Sequence, residues 1–270
     1  MPTDRVAGVA WRDVVDMTHG VPTARGDQVA EEVPVAVRCN GEPLAVMMAS
    51  PGDLEDFARG FALTELGVAG DGLSSVTVQA LLEGIDVDIR TRDPLPARPE
   101  RWLPGRSGCG ICGSRTLEDM VRRPGAVGQG IAIPPVALET ARAGLQRHQP
   151  LNALTGALHA AAWATPDGSL HLVREDVGRH NALDKLIGAM QREGIDAASG
   201  FVVVTSRASY EMVAKAALAG MPLLAAMSAP TALAVDLADS CALTLVGFLR
   251  GDRYVVYSHA SRLESADAQR

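Results

Sequence analysis

The sequence predicts a layered α/β domain built on a mixed, partly parallel sheet, preceded by a smaller α+β domain. Two observations carry this. In the second half, short apolar runs such as Phe201-Val202-Val203-Val204 and Leu223-Leu224-Ala225-Ala226-Met227 alternate with helical stripes, as buried strands alternate with crossover helices. In the first half, Val33-Pro34-Val35-Ala36-Val37-Arg38-Cys39 and Leu44-Ala45-Val46-Met47-Met48 flank Asn40-Gly41, the dipeptide of a tight hairpin turn.

In chain order, residues 1–30 lack sustained periodicity and carry Gly20, Pro22 and Gly26, so they read as an arm with one strand near Val14-Val15. Residues 31–104 form the small α+β domain. After its hairpin, Leu54, Phe57, Ala58 and Phe61 fall at i, i+3, i+4, i+7, an amphipathic helix with Asp53 as its cap. Strands follow at 76–81 and 85–89. Pro94, Pro96, Pro99 and Pro104 stiffen the connector to residues 105–125, a cysteine loop with one short helix over 116–122. The α/β domain spans 126–262, with a tail at 263–270. It opens with a helix from Val136 to about Gln146, then a strand over 170–174. Leu183, Leu186, Ile187 and Met190 stripe a helix ending near Gly194. Met212, Val213, Ala216 and Ala217 stripe another, closed by Gly220. Pro230 takes the first turn of a third, through Asp239. Strands at 243–248 and 254–257 finish the chain around a Gly251-Asp252 turn.

The stretch richest in chemistry is Gly105-Arg106-Ser107-Gly108-Cys109-Gly110-Ile111-Cys112-Gly113-Ser114-Arg115. Its glycines disfavour helix and strand and permit close backbone approach. Arg106 and Arg115 favour the thiolate, which is the nucleophile. Three chemistries use a Cys-x-x-Cys. A structural zinc site needs about four ligands, and no second Cys-x-x-Cys or His pair accompanies this one, since Cys39 and Cys241 are isolated. A dithiol redox pair opens a helix after a strand, which Gly110 and Gly113 weaken. The third is covalent sulfur carriage, with a persulfide on one cysteine and a loop that meets donor and acceptor in turn.

Composition bounds the rest. The chain has 270 residues, 47% hydrophobic and 21% charged, enough for a large core. A formal net charge of -7 argues against generic nucleic-acid binding. No run of 18 apolar residues predicts a membrane span, and the N-terminus lacks a signal-peptide pattern. Four cysteines make no disulfide framework, and a reactive pair suits a reducing, cytoplasmic setting.

Three polar segments follow predicted strands and precede predicted helices: Glu175-Asp176-Val177-Gly178-Arg179-His180-Asn181, Thr205-Ser206-Arg207-Ala208-Ser209 and Ser228-Ala229-Pro230-Thr231. In a parallel sheet they share the carboxyl edge, where open α/β sheets bind ligands. Helix N-termini there offer free N–H groups to phosphates, and Arg179 and Arg207 add forked donors. With His180, Ser209 and Ser228 they predict a site for a phosphorylated, nucleotide-bearing ligand. The competing roles are structural: Thr205, Ser209 and Ser228 as helix caps, and Glu175 or Asp176 as a partner of Arg179. His159, in an apolar run, reads as a satisfied core histidine.

The segments Gly108 to Gly113, Leu154-Thr155-Gly156-Ala157-Leu158-His159-Ala160-Ala161, Arg174 to Lys185 and Ser206-Arg207-Ala208-Ser209-Tyr210-Glu211-Met212-Val213 resemble the FdhD/NarQ family. The likeness runs on through Ser228-Ala229, 231–235 and 243–248, and back to Asn40-Gly41 and 53–61. Ala157-Leu158 departs from it, since many relatives carry Gly before the His. The resemblance implies a sulfur carrier that a cysteine desulfurase loads. It implies sulfuration of the molybdenum cofactor, in its bis-molybdopterin guanine dinucleotide form, before insertion into the formate dehydrogenase catalytic subunit. By the same resemblance Cys109 holds the persulfide and Phe248-Leu249-Arg250-Gly251-Asp252-Arg253 bind the cofactor; Cys112 can assist release on chemical grounds, since a second thiol attacks a persulfide and forms a disulfide. It further implies a cytidine-deaminase-like larger domain and a homodimer. The polar junctions predict guanine nucleotides as partial mimics of the cofactor, and the lack of a third and fourth ligand beside the cysteine pair predicts no structural metal. Deaminase activity itself is not expected: zinc deaminases place a Glu two residues after the His, where Ala161 stands here. Two functions remain, a persulfide-bearing sulfurtransferase and a cofactor-binding chaperone that carries no sulfur.

Overall fold

The structure, a computed structural model, describes residues 6–95 and 124–264. Cys109, Cys112, the rest of their loop, the 116–122 helix and most of the proline-rich connector lie outside the described residues.

Residues read as an arm instead form a regular hairpin, β1 (Val9–Thr18) and β2 (Val21–Ala30), paired antiparallel from Val9↔Ala30 to Thr18↔Val21. His19 and Gly20 both take positive φ, the turn whose twist matches that of the strands. The alternation was hard to see because Val15 (63%) and Met17 (62%) stay exposed, so burial imposes no period. Gly26 has its own reason: a Cβ there would press against the Trp11 ring.

β3 (Val33–Cys39) and β4 (Glu42–Ala49) meet at Asn40-Gly41, again with both φ positive, as the sequence predicts. β5 (Leu73–Ala80) and β6 (Ile85–Thr91) complete a sheet of order β4-β3-β6-β5, with β3 and β6 parallel. Helix α1 (Leu54–Phe61) lays Leu54, Phe57, Ala58 and Phe61 against Val35, Val37, Val87 and Ile89. Buried Cys39 belongs to the same core. Asp53 does not cap this helix. Its φ of 54° is left-handed and its side chain makes no cap bond; it faces Arg174 at 3.7 Å.

The larger sheet has six strands in the order β12-β11-β10-β9-β7-β8. They are β7 (His159–Ala164), β8 (Leu170–Asp176), β9 (Phe201–Val204), β10 (Leu223–Ala226), β11 (Thr244–Arg250) and β12 (Arg253–Ser258). β9, β10 and β11 are parallel, β7 is antiparallel to β8 and β9, and β12 is antiparallel to β11. Helix α2 (Pro135–Arg147) covers one face, and α3 (Pro150–Thr155) follows it. Helices α4 (Arg179–Glu193), α5 (Tyr210–Leu218) and α6 (Ala232–Ser240) cover the other. Strand β7 shows the two-residue period: Ala160, Ala162 and Ala164 join the α2 side, Ala161 and Trp163 the α4 side. The sequence did not reveal β7, because alanine carries little strand preference. The start of α6 also differs from expectation. Thr231, not Pro230, holds the N-cap, accepting from Ala234 N at 3.3 Å.

α1 and α4 cross at glycines. A Cβ on Gly60 would overlap the Asp184 carbonyl, and one on Gly188 would overlap that of Asp56. This approach seats the small sheet and its helix on the back of α4.

A candidate functional site at the carboxyl edge of the large sheet

β8 is antiparallel to β7, and β7 to β9, so β8 runs the same way as β9, β10 and β11. The three polar junctions therefore do share one edge, joined there by the end of β11 and by His159 at the start of β7. Hydrogen bonds stitch them into a row. Ala160 N donates to Thr205 Oγ1 at 2.9 Å. Ala208 N donates to Ala229 O at 3.2 Å, and Thr231 N returns to Ala208 O at 3.0 Å. Phe248 N donates to Ser228 O at 3.1 Å.

Much of the Glu175–Lys185 block holds the molecule together. Asp176 is fully buried and does not pair with Arg179. It lies 2.7 Å from Lys185 Nζ and accepts from Ser50 N (3.0 Å), Gly178 N (2.7 Å) and Asn181 Nδ2 (3.0 Å). Lys185 also donates to Ser50 O, and Asn181 to Met48 O. Glu175 accepts from Leu151 N (3.0 Å) and Asn152 N (2.8 Å) at the start of α3. Burial raises its pKa, and those two bonds only partly offset this. Deeper, Asp184 accepts from Thr64 Oγ1 at 2.8 Å and lies 2.7 Å from Lys215, which also contacts Glu65 at 2.9 Å. Burial pulls the Lys215 ammonium down, but the Asp184 and Glu65 charges outweigh it and leave its pKa raised. Asp56 accepts from both Arg174 (2.7 Å) and Arg192 (2.9 Å). The Asp176, Asp184 and Asp56 clusters tie the small sheet, α1 and the turn after it to the large domain, whereas Glu175 joins β8 to α3 within it.

What remains at the edge is donor-rich. Arg179 Nε is buried with no hydrogen-bond partner among the described residues. So is Ser209 Oγ, which stands at the α5 N-cap without making a cap bond. The capping role open to Ser209 in the sequence is thus not taken, and that of Thr205 is replaced by its bond to β7. Arg207 is exposed. His180 points inward, 2.7 Å from Glu211 Oε2 and 6% exposed. Burial pushes the Glu211 carboxyl up, but the His180 hydrogen bond and charge, with Lys215, hold it below its ordinary value. His159 is half-buried at the edge rather than a core residue. Burial first, then the Arg179 and His180 charges, push its pKa down, against a smaller upward pull from Asp176.

The segment after Gly247 is bulged, with Phe248 at φ 52° and Arg250 stacked 6.0 Å over its ring. Phe248 and Gly251 are partly exposed, and Arg250, Asp252 and Arg253 are exposed. Leu249 differs: at 1% exposure it belongs to the core beside Val246, so it holds the strand rather than facing a ligand. Sequence reasoning passed over Ser50, Lys185, Glu211 and Lys215 as site-shaping residues. The available signal was charge within an apolar helical stripe, as at Lys215 between Val213 and Ala216. Among the described residues no group of three or more His, Cys, Asp or Glu is placed to hold a metal, and no helix is long and apolar enough to cross a membrane.

Residues 30–264 match the model of the FdhD/NarQ family. "Sulfur carrier protein FdhD" of Xanthomonas euvesicatoria pv. vesicatoria is 54% identical over 243 residues, covering 88% of this chain and 86% of its own. Its namesake in Xanthomonas oryzae pv. oryzae is 52% identical over 263 residues, 95% of this chain and 93% of its own. That of Cupriavidus necator is 49% identical over 242 residues, 88% and 84%. A crystal structure described as a formate dehydrogenase accessory protein, from Desulfotalea psychrophila, superposes with a TM-score of 0.78 at 22% identity, covering 95% of this chain and 99% of that one. The fold is therefore shared with that structure, and on the family match and the close relatives together the chain belongs to the FdhD/NarQ family.

Proposed function

We propose that this protein is a sulfur carrier. It accepts sulfur from a cysteine desulfurase as a persulfide on Cys109 and delivers it to the bis-molybdopterin guanine dinucleotide form of the molybdenum cofactor, its substrate, before that enters formate dehydrogenase. The observation that carries the reading is family membership, with relatives about half identical and named sulfur carriers, in a chain that holds Cys109-Gly110-Ile111-Cys112. Loading is thiolate exchange. Cys109 attacks the terminal sulfur of the donor persulfide, a new S–S bond forms, and the donor thiolate leaves. In release, Cys112 attacks Cys109 Sγ, the pair becomes a disulfide, and the outer sulfur departs with the bonding electrons as sulfide. A dithiol reductant then restores the pair.

The carboxyl edge suits the substrate's phosphates. Among the described residues Arg179 Nε and Ser209 Oγ lack partners, Arg207, Arg250 and Arg253 are exposed, and Asp176 and Glu211 are paired with Lys185 and His180, which offsets their charge. Asp252 offers an acceptor of the kind that reads a guanine edge. The partners are the desulfurase, the formate dehydrogenase catalytic subunit and a second copy of the chain, in the cytoplasm. The test is mass spectrometry after incubation with a desulfurase and cysteine. One added sulfur on the 105–125 peptide, lost in Cys109→Ala and kept in Cys112→Ala, is expected. No added sulfur would leave a chaperone that binds the cofactor without carrying sulfur.

A further inference from the structure

The β1–β2 hairpin forms a two-stranded sheet of its own, and nearly all of it precedes residue 30, where the match to the family model begins. Register partners on an antiparallel ribbon share a face, so its residue pairs sort into two faces. One face holds Arg12, Asp16, Arg25 and Asp27, and it satisfies itself: Arg25 meets Asp16 at 3.0 Å and Asp27 at 2.9 Å. The other holds Trp11, Val15 and Met17 of β1 beside Gly26, Ala24 and Pro22 of β2, with Asp13 and Gln28 as its polar residues. Trp11 is 53% exposed, and Val15 and Met17 are more so. A lone two-stranded ribbon is marginally stable in water, and a contiguous apolar patch marks a contact surface.

We propose that this apolar face docks on the same face of a second copy of the chain. The inference rests on the second copy named among the partners above and adds the surface that holds it. The face is self-complementary. Its large side chains stand on β1 and its small ones on β2, and the Trp11 ring leans over Gly26. A two-fold axis parallel to the strands lays each β1 over the other copy's β2, the isologous contact of a symmetric dimer. Register partners sit at one level, so Val15 then lies over Ala24 of the other copy, and Met17 over Pro22. Charge permits this contact. A chain of net charge -7 repels its copy over much of its surface, but this face carries a single charge, Asp13, which lies over Gly26 rather than over its like. The area is sufficient. The ribbon is about 30 Å long and about 10 Å wide, so two closed faces bury on the order of 1,000 Å² in total, the lower bound for a specific interface. The hairpin is rooted near the candidate site: a Cβ on Gly8 would touch Leu151, whose N–H donates to Glu175 of β8 at 3.0 Å.

Val15 and Val21 make a matched pair for the test, since both are valines at 63% exposure and they lie on opposite faces of the ribbon. Sedimentation velocity of the full chain, of Val15→Glu and of Val21→Glu over a broad dilution series reads the dimer directly. The expected result is a wild-type dimer that Val21→Glu leaves intact and Val15→Glu weakens by about a hundredfold or more, because the buried carboxylate enters a symmetric contact twice. Equal dimerisation of all three proteins would overturn the face while leaving the second copy as a partner through another surface. Equal loss in both variants would also overturn it, since the two faces would then not differ. A wild type that stays monomeric throughout would overturn the docking of a copy and the homodimer reading together, and leave the face to a different protein. Should circular dichroism show that Val15→Glu loses the hairpin, Trp11 decides the matter. Its acrylamide quenching, taken as wild type minus Trp11→Phe, falls as the dimer forms if the proposal holds, and unchanged quenching in a dimeric sample overturns it.

Discussion

Replacing Asp176 by alanine should destabilise the protein by about 3–5 kcal/mol, the range for removing one partner of a buried ion pair. The structure shows why the high end applies. Lys185 is 1% exposed and would keep only the Ser50 carbonyl at 3.0 Å, with no carboxylate. The amides of Ser50 and Gly178 would lose their acceptor, and Asn181 one of its two. Such a loss is a large share of the roughly 5–15 kcal/mol that stabilises a typical domain. Urea denaturation followed by circular dichroism measures it, with an unchanged slope showing that the native state is still compact. The double variant Asp176→Ala/Lys185→Met should recover most of the loss, because the uncompensated charge goes with the lysine. A cost under about 1 kcal/mol for Asp176→Ala, or a double variant as unstable as the sum of the singles, would refute the assignment of this block to the seam between the small sheet and the large domain.

Two further changes probe local devices. Gly188→Ala forces a methyl into the Asp56 carbonyl across the α1–α4 crossing and should cost about 1–3 kcal/mol or more in the same urea assay; a neutral result would mean the helices separate easily. Thr231→Ala removes a cap bond and should cost about 1 kcal/mol, whereas Ser209→Ala, which removes none, should cost clearly less in thermal melts while weakening guanosine diphosphate binding.

The elements legible in the sequence were those whose burial imposes a period. Phe201–Val204, Leu223–Ala226 and the stripes of α4 and α5 face two layers, and their apolar runs announce it. The Asn40-Gly41 hairpin was legible through turn chemistry alone. The β1–β2 hairpin has as tight a turn in His19-Gly20, but its strands bury little, so neither period nor glycine placement marked them. Alanine-rich β7 was hidden for the opposite reason. It is buried on both sides, in a residue type that serves helix and strand alike.

The site followed from a different kind of reasoning, and that explains which half of it came through. Strand direction places junctions, and direction is readable from alternation of strands and helices, so the shared edge of Asp176, Val204, Ala226 and Arg250 could be anticipated. The division of labour along that edge could not, because it depends on partners far away in sequence: Ser50 reaches Asp176 across 126 residues, and Thr64 reaches Asp184 across 120. Within one motif, Asp176, Asn181, Asp184 and Lys185 turn toward the first half of the chain while Arg179 Nε meets no partner among the described residues. The dense motif is dense because it does both jobs at once. It fixes α4 against α1 from one side and presents the first residue of α4 to the edge from the other. A substitution in the seam should therefore reach the edge through the position of α4, whereas one at Arg179 or Ser209 should alter ligand binding and leave the urea midpoint nearly where it was. That separation of readouts, rather than the residue types in the motif, tells the structural half from the binding half.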